Sequence, residues 1–76
     1  MLRYKTPDGK PVEAESLRGL AEALRMEMMI PDPDMEEWML NSAYRAHMWN
    51  GSVIRTSSVE DHVRDLIEAG ILTPLD

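Results

Sequence analysis

The sequence predicts a small α+β domain in the order ββααβα, an N-terminal β-hairpin plus a short third strand packed on three helices. Three observations lead there. Apolar and polar residues alternate on either side of a Pro-Asp-Gly turn, three amphipathic stretches each carry their own caps, and a β-branched pair, Val53-Ile54, lies between the last two. The 76 residues are expected to form one domain, with hairpin 2–14, helices 17–29, 35–50 and 58–69, a strand at 52–56 and a tail at 73–76.

The elements follow in order. Leu2 to Thr6 and Val12 to Ala14 alternate, and between them Pro7 presets the first turn position, Asp8 suits the next and Gly9 accepts positive φ. This reads as a type I turn with a glycine bulge. Pro11 has no N–H for a ladder, so the second strand belongs on an edge. Ser16 is an N-cap for a helix whose Leu17, Leu20, Ala21, Leu24 and Met28 share one stripe. Gly19 should weaken its first turn by about 1 kcal/mol relative to alanine. Pro31-Asp32-Pro33 ends it, because a proline turns the preceding residue away from α geometry.

Asp34 with Glu37 three residues on is an acidic variant of the capping box, and Asn50-Gly51 is a left-handed stop, so the middle helix has both ends written locally. Strand 52–56 is expected to pair with the first strand, since Pro11 marks the second as an edge. Ser57 with Glu60 reads as the capping box of the last helix, which buries Val59, Val63, Leu66 and Ile67. Gly70 then stands at C′, with Ile71 placed to touch Leu66 as a Schellman motif prefers.

Composition narrows the function. Without cysteine there is no disulfide and no thiolate metal site. A domain this small buries its core with difficulty, and its bulky apolar material is leucine, two tryptophans and seven methionines, with no phenylalanine. Methionine packs adaptably and recurs on binding surfaces. The basic residues near Met1 precede no apolar run, and no stretch approaches a membrane span, so no membrane role and a cytoplasmic setting are expected. A net charge of −6 opposes binding to nucleic acid or anionic lipid. Acids concentrate at residues 27–37 and 60–68, and Arg3, Lys5 and Lys10 mark a weakly basic hairpin.

No motif assigns chemistry, so no catalytic, cofactor or metal residue is expected. Asp32, Asp34 and Glu36 have the 1, 3, 5 spacing of a calcium loop, but Glu37 stands where its glycine belongs and Ala43 where its bidentate glutamate belongs. His47 and His62 lie on different helices without a second ligand at helical spacing. Ser57 and Ser58 read as caps rather than nucleophiles, and no glycine-rich turn supplies an oxyanion site. Met26, Met28, Met29, Met35 and Met39 read as core and surface filling rather than a copper site.

The middle helix carries the functional expectation. At 100° per residue, Met35, Trp38, Met39, Ala43, Ala46 and Trp49 form one apolar stripe, while Leu40, Tyr44 and His47 form a second. A helix apolar on two sides is either sandwiched in its own domain or docked on a partner. The expectation is a non-enzymatic acidic protein-interaction or regulatory module. It would use Leu40, Tyr44, His47 and Met48 to contact another protein, a basic one by charge, or a second copy of itself. An alternative is an acidic inhibitor that imitates nucleic acid. A further one is a helix-turn-helix or winged DNA-binding domain, whose generic order the last third resembles. Against that, Glu60, Asp61, Arg64, Asp65 and Glu68 on the would-be recognition helix repel phosphate.

Overall fold

Alternation in the first fourteen residues sends Leu2, Tyr4, Val12 and Ala14 to one side of a hairpin. In the computed structural model, which describes residues 1–75, strands β1 (Leu2–Lys5) and β2 (Pro11–Ala14) pair antiparallel, with Leu2 opposite Ala14 and Tyr4 opposite Val12. On the solvent side Arg3 pairs with Glu13 at 3.2 Å. Gly9 N–H donates to the Thr6 carbonyl and Thr6 N–H to the Lys10 carbonyl, both at 2.9 Å, and Gly9 has φ +88°. The type I turn with its glycine bulge is thereby present.

Helix α1 (Leu17–Met26) starts at Ser16, whose hydroxyl accepts from Gly19 N–H at 3.0 Å. It ends three residues before the expected Met29. The Arg25 guanidinium donates to the Asp32 carbonyl at 2.8 Å, tying the proline segment to the helix end, and Met29 and Ile30 are exposed. Gly19 is not merely a weak helix former. A Cβ at this position would lie 2.9 Å from the Ala14 Cβ, so glycine lets α1 approach β2.

Helix α2 (Met35–Asn50) has the expected bounds: Asp34 accepts from Glu37 N–H at 2.8 Å, and Gly51, at φ +78°, donates to the His47 carbonyl at 2.8 Å. Helix α3 (Val59–Glu68) is capped by Ser58, which accepts from Asp61 N–H at 3.1 Å, so the capping box expected at Ser57 and Glu60 is displaced by one residue. Both serines can cap. The difference is made by Asp61, whose carboxylate turns to Arg55 and Arg64, and by burial of Val59 in the first turn. At the other end Gly70 N–H donates to the Ile67 carbonyl and Ile71 N–H to that of Leu66, which completes the Schellman motif.

The fold is α+β, three antiparallel strands in the order β2-β1-β3 with three helices, and the third strand pairs with the first as expected. That strand, however, comes from another segment. β3 is Thr73–Pro74, read from the sequence as tail, and it lies beside Tyr4 and Lys5, with Leu75 N–H donating to the Arg3 carbonyl at 3.0 Å. Ser52–Thr56 is irregular, so the chain order is ββαααβ. Asp76, the end of that tail, lies outside the described residues.

Side chains explain the exchange. Ser52 N–H is taken by the Asn50 side chain and Arg55 N–H by the Asp65 carboxylate, at 3.0 and 2.9 Å, leaving the segment strapped along α3 instead of free for a ladder. Ile54 enters the core from this strap while Val53 stays exposed. The Schellman reversal at Gly70 meanwhile buries Leu72 and carries the next residues to β1. The core joins Val12 to Leu20 and Ala21 of α1, Trp38, Met39 and Ala46 of α2, and Val59, Val63 and Leu66 of α3.

Candidate functional site

The outer side of α2 is where the sequence placed its contact residues, and the fold leaves it open. Leu40, Tyr44 and Met48 recur every four residues and lie in one row about 12 Å long at 1.5 Å per residue. They are 58%, 67% and 67% exposed, and His47 beside them is exposed too. The second stripe is therefore surface, not a second core face. The N-terminal end of the row carries Glu36 and Glu37, the C-terminal end Arg45 and His47, and all four are exposed.

The inner side of the same helix departs from expectation in two places. Trp38, Met39 and Ala46 are buried and Met35 and Ala43 half-buried, but Trp49, assigned to the same stripe, is 67% exposed. It stands on the wall of a groove of about 670 Å³ that runs between α2, the hairpin turn and the end of α1. No side chain crosses that gap, because α1 stops at Met26 and the turn at Pro7–Lys10 stays on the far wall. Two charges of this wall, Lys10 and Glu27, pair loosely at 3.9 Å.

The second departure is a polar pair within the apolar stripes. Ser42 lies between Trp38 and Ala46 on α2, and His62 is fully buried on α3. His62 Nδ1 is 2.7 Å from the Arg55 carbonyl and Nε2 is 3.0 Å from Ser42 Oγ. A carbonyl only accepts, so Nδ1 holds the proton and the Ser42 hydroxyl donates to Nε2. Burial pushes the imidazole pKa down, partly opposed by its bond to the Arg55 carbonyl and by Asp65, so the ring is neutral. The Trp38 ring meets it edge-on, 5.0 Å between centroids. The signal for this pair was a polar residue at the centre of each facing stripe.

Chemically, a serine bonded to a neutral histidine that is oriented by a carbonyl supplies two parts of a nucleophilic site. Ser42 sits in mid-helix, where the surrounding backbone N–H groups belong to α2 itself and do not form an oxyanion cradle. The pair acts as a joint between α2 and α3. Beside it Arg55 donates from Nε and Nη2 to Asp65, at 2.9 and 2.8 Å. These bonds hold the Asp65 carboxyl at about 2, well below its ordinary 3.8, and raise the Arg55 pKa.

The remaining acids are largely engaged. Asp34 caps α2, Asp32 accepts from Asn41 at 3.0 Å, Asp61 meets Arg55 and Arg64, and Glu22 meets Arg25. Among the described residues no three His, Asp or Glu side chains converge as a metal site, and no helix is long and apolar enough to cross a membrane. Comparison with protein families, curated proteins and solved structures finds no match. The functional argument therefore rests on the surface itself.

Proposed function

We propose that this chain is a non-enzymatic protein-interaction module that contacts its partner through the outer face of α2. The observation that carries the reading is the row Leu40, Tyr44 and Met48, three large apolar side chains exposed together on the longest helix. Such side chains scattered singly need no explanation, whereas aligned on one helix they form the apolar centre of a helix-face contact. Tyrosine and methionine are favoured at the centre of interfaces, and the exposed Glu36 and Glu37 supply a polar rim. An overall charge of −6 favours basic surface on a partner, and a cysteine-free chain suits the reducing cytoplasm.

Imitation of nucleic acid has less support, because Glu27, Asp61 and Asp65 already face cations of the same chain. DNA reading by α3 has less still, since its outward residues include Glu60, Asp61 and Glu68. The test is site-specific photocrosslinking in the native cell, with benzoylphenylalanine in place of Tyr44 and, as control, in place of the equally accessible Val53. A discrete adduct at position 44 that disappears with Leu40→Glu supports the reading. Equal, diffuse labelling from 44 and 53 overturns it.

A further inference from the structure

We infer that the partner seated on this face is a second copy of the chain, its α2 running antiparallel to the first. The inference rests on the interaction reading above and deepens it. The argument is charge complementarity within one helix face. The apolar row begins beside Glu36 and Glu37 and ends beside Arg45 and His47, all of them exposed. A two-fold axis perpendicular to α2, passing near its midpoint, sets Leu40 against the second copy's Tyr44. By the same operation Glu36 comes to the second copy's His47, and Glu37 to its Arg45 and Met48.

Each acidic end then meets a basic end, twice, as an isologous interface requires. A parallel arrangement would place Glu36 and Glu37 against their own copies, and like charges so juxtaposed oppose pairing. The charges are free to act in this way. Glu36, Glu37, Arg45 and His47 make no ion pair among the described residues, unlike Arg55, Arg25 and Arg64, which are held by acids of their own domain. The stripe is thus self-complementary in one orientation and self-repelling in the other.

The contact is modest in size. α2 is about 24 Å long, and one helix face against another falls at the small end of specific interfaces, which corresponds to a weak, concentration-dependent dimer. Only part of the population is expected to be dimeric at low protein concentration.

Sedimentation equilibrium of the full chain from about 1 µM to about 1 mM tests this, a range that brackets weak helix-face association. Doubling of the mass over that range is expected. The double variants Glu36→Lys/Glu37→Lys and Arg45→Glu/His47→Glu should each weaken self-association about tenfold or more, by placing like charges across the axis. An equimolar mixture of the two should restore it as a heterodimer. A wild-type monomer throughout the range overturns the inference, as does a mixture that associates no better than its components.

Both outcomes stay separate from the interaction reading. A crosslinked adduct at position 44 with twice the chain mass supports the second copy. An adduct with a different protein leaves the interface standing and removes the self-pairing.

Discussion

Across α2 the inner face carries a serine hydrogen-bonded to a buried histidine, whereas the outer face exposes leucine, tyrosine and methionine in a row. Polarity is thus partly inverted relative to the simple rule of apolar inside and polar outside. The inner pair is tolerated because both ring nitrogens of His62 have partners and the ring is neutral, so burial leaves no unpaired charge. The outer row contributes nothing to the packing of the monomer. A buried polar group is explained by its partners inside the fold, and an aligned apolar surface by a partner outside it.

The sharpest way to break the comparison is Trp38→Ala. This side chain fills the interior between the helices and abuts His62, and its loss should destabilise by about 3–5 kcal/mol, a large share of the stability of a domain this size. Urea denaturation followed by circular dichroism should show a largely unfolded chain. An effect below about 1 kcal/mol, the range of surface replacements, would mean that α2 does not pack on this face.

Ser42→Ala comes next. It leaves His62 Nε2 buried without a donor, at a cost of about 1–3 kcal/mol. If the hydroxyl mattered only as filler, the variant would match wild type in the same denaturation curve.

The pH dependence separates the two joints of α3. His62 has a folded pKa lowered from 6.5, so above that range the ring is neutral in both states and contributes no pH dependence. As pH falls below 6.5 the unfolded chain takes up a proton that the buried ring resists, and stability declines. Asp65 acts lower. Its folded value of about 2 lies below 3.8, so the stabilisation from Arg55 is whole above 3.8 and is lost as pH falls toward 2. Asp65→Asn should flatten the acid step and leave the one below 6.5. A His62 ring that titrates at or above 6.5 by NMR would overturn the first assignment.

The smallest effect on folding belongs to Leu40→Glu/Tyr44→Glu. Both side chains are exposed, so unfolding free energy should stay within about 0.5 kcal/mol of wild type while association is lost. A double variant that unfolds would return this row to the core.

Much of the architecture was legible because it is written over three or four adjacent residues. The Pro7–Lys10 turn, the Asp34 cap, the Gly51 stop and the Schellman reversal at Gly70 are local hydrogen-bond patterns, and each appears at its expected place. The contact row of α2 was legible too, as a second apolar stripe, although its exposure was not. Trp49 shares an angular position with buried residues, and only the course of α1 and the hairpin decides that nothing covers it. The Ser42–His62 bond joins residues twenty apart, each of which looks unremarkable in its own helix.

The third strand shows the same division. Val53-Ile54 has the better strand propensity, yet Thr73–Pro74 takes the place beside β1. Sequence by itself determined the α+β class, the hairpin, the middle helix and most of the core stripes, since turns, caps and periodicity act over a few residues. Tertiary structure alone decided which segment completes the sheet, where Trp49 and Leu40 lie relative to solvent, and that a histidine and a serine meet in the core. Those outcomes depend on which distant donors, such as Arg55 and its partner Asp65, claim a segment first, and backbone hydrogen bonds once spent on a side chain are not available to a strand.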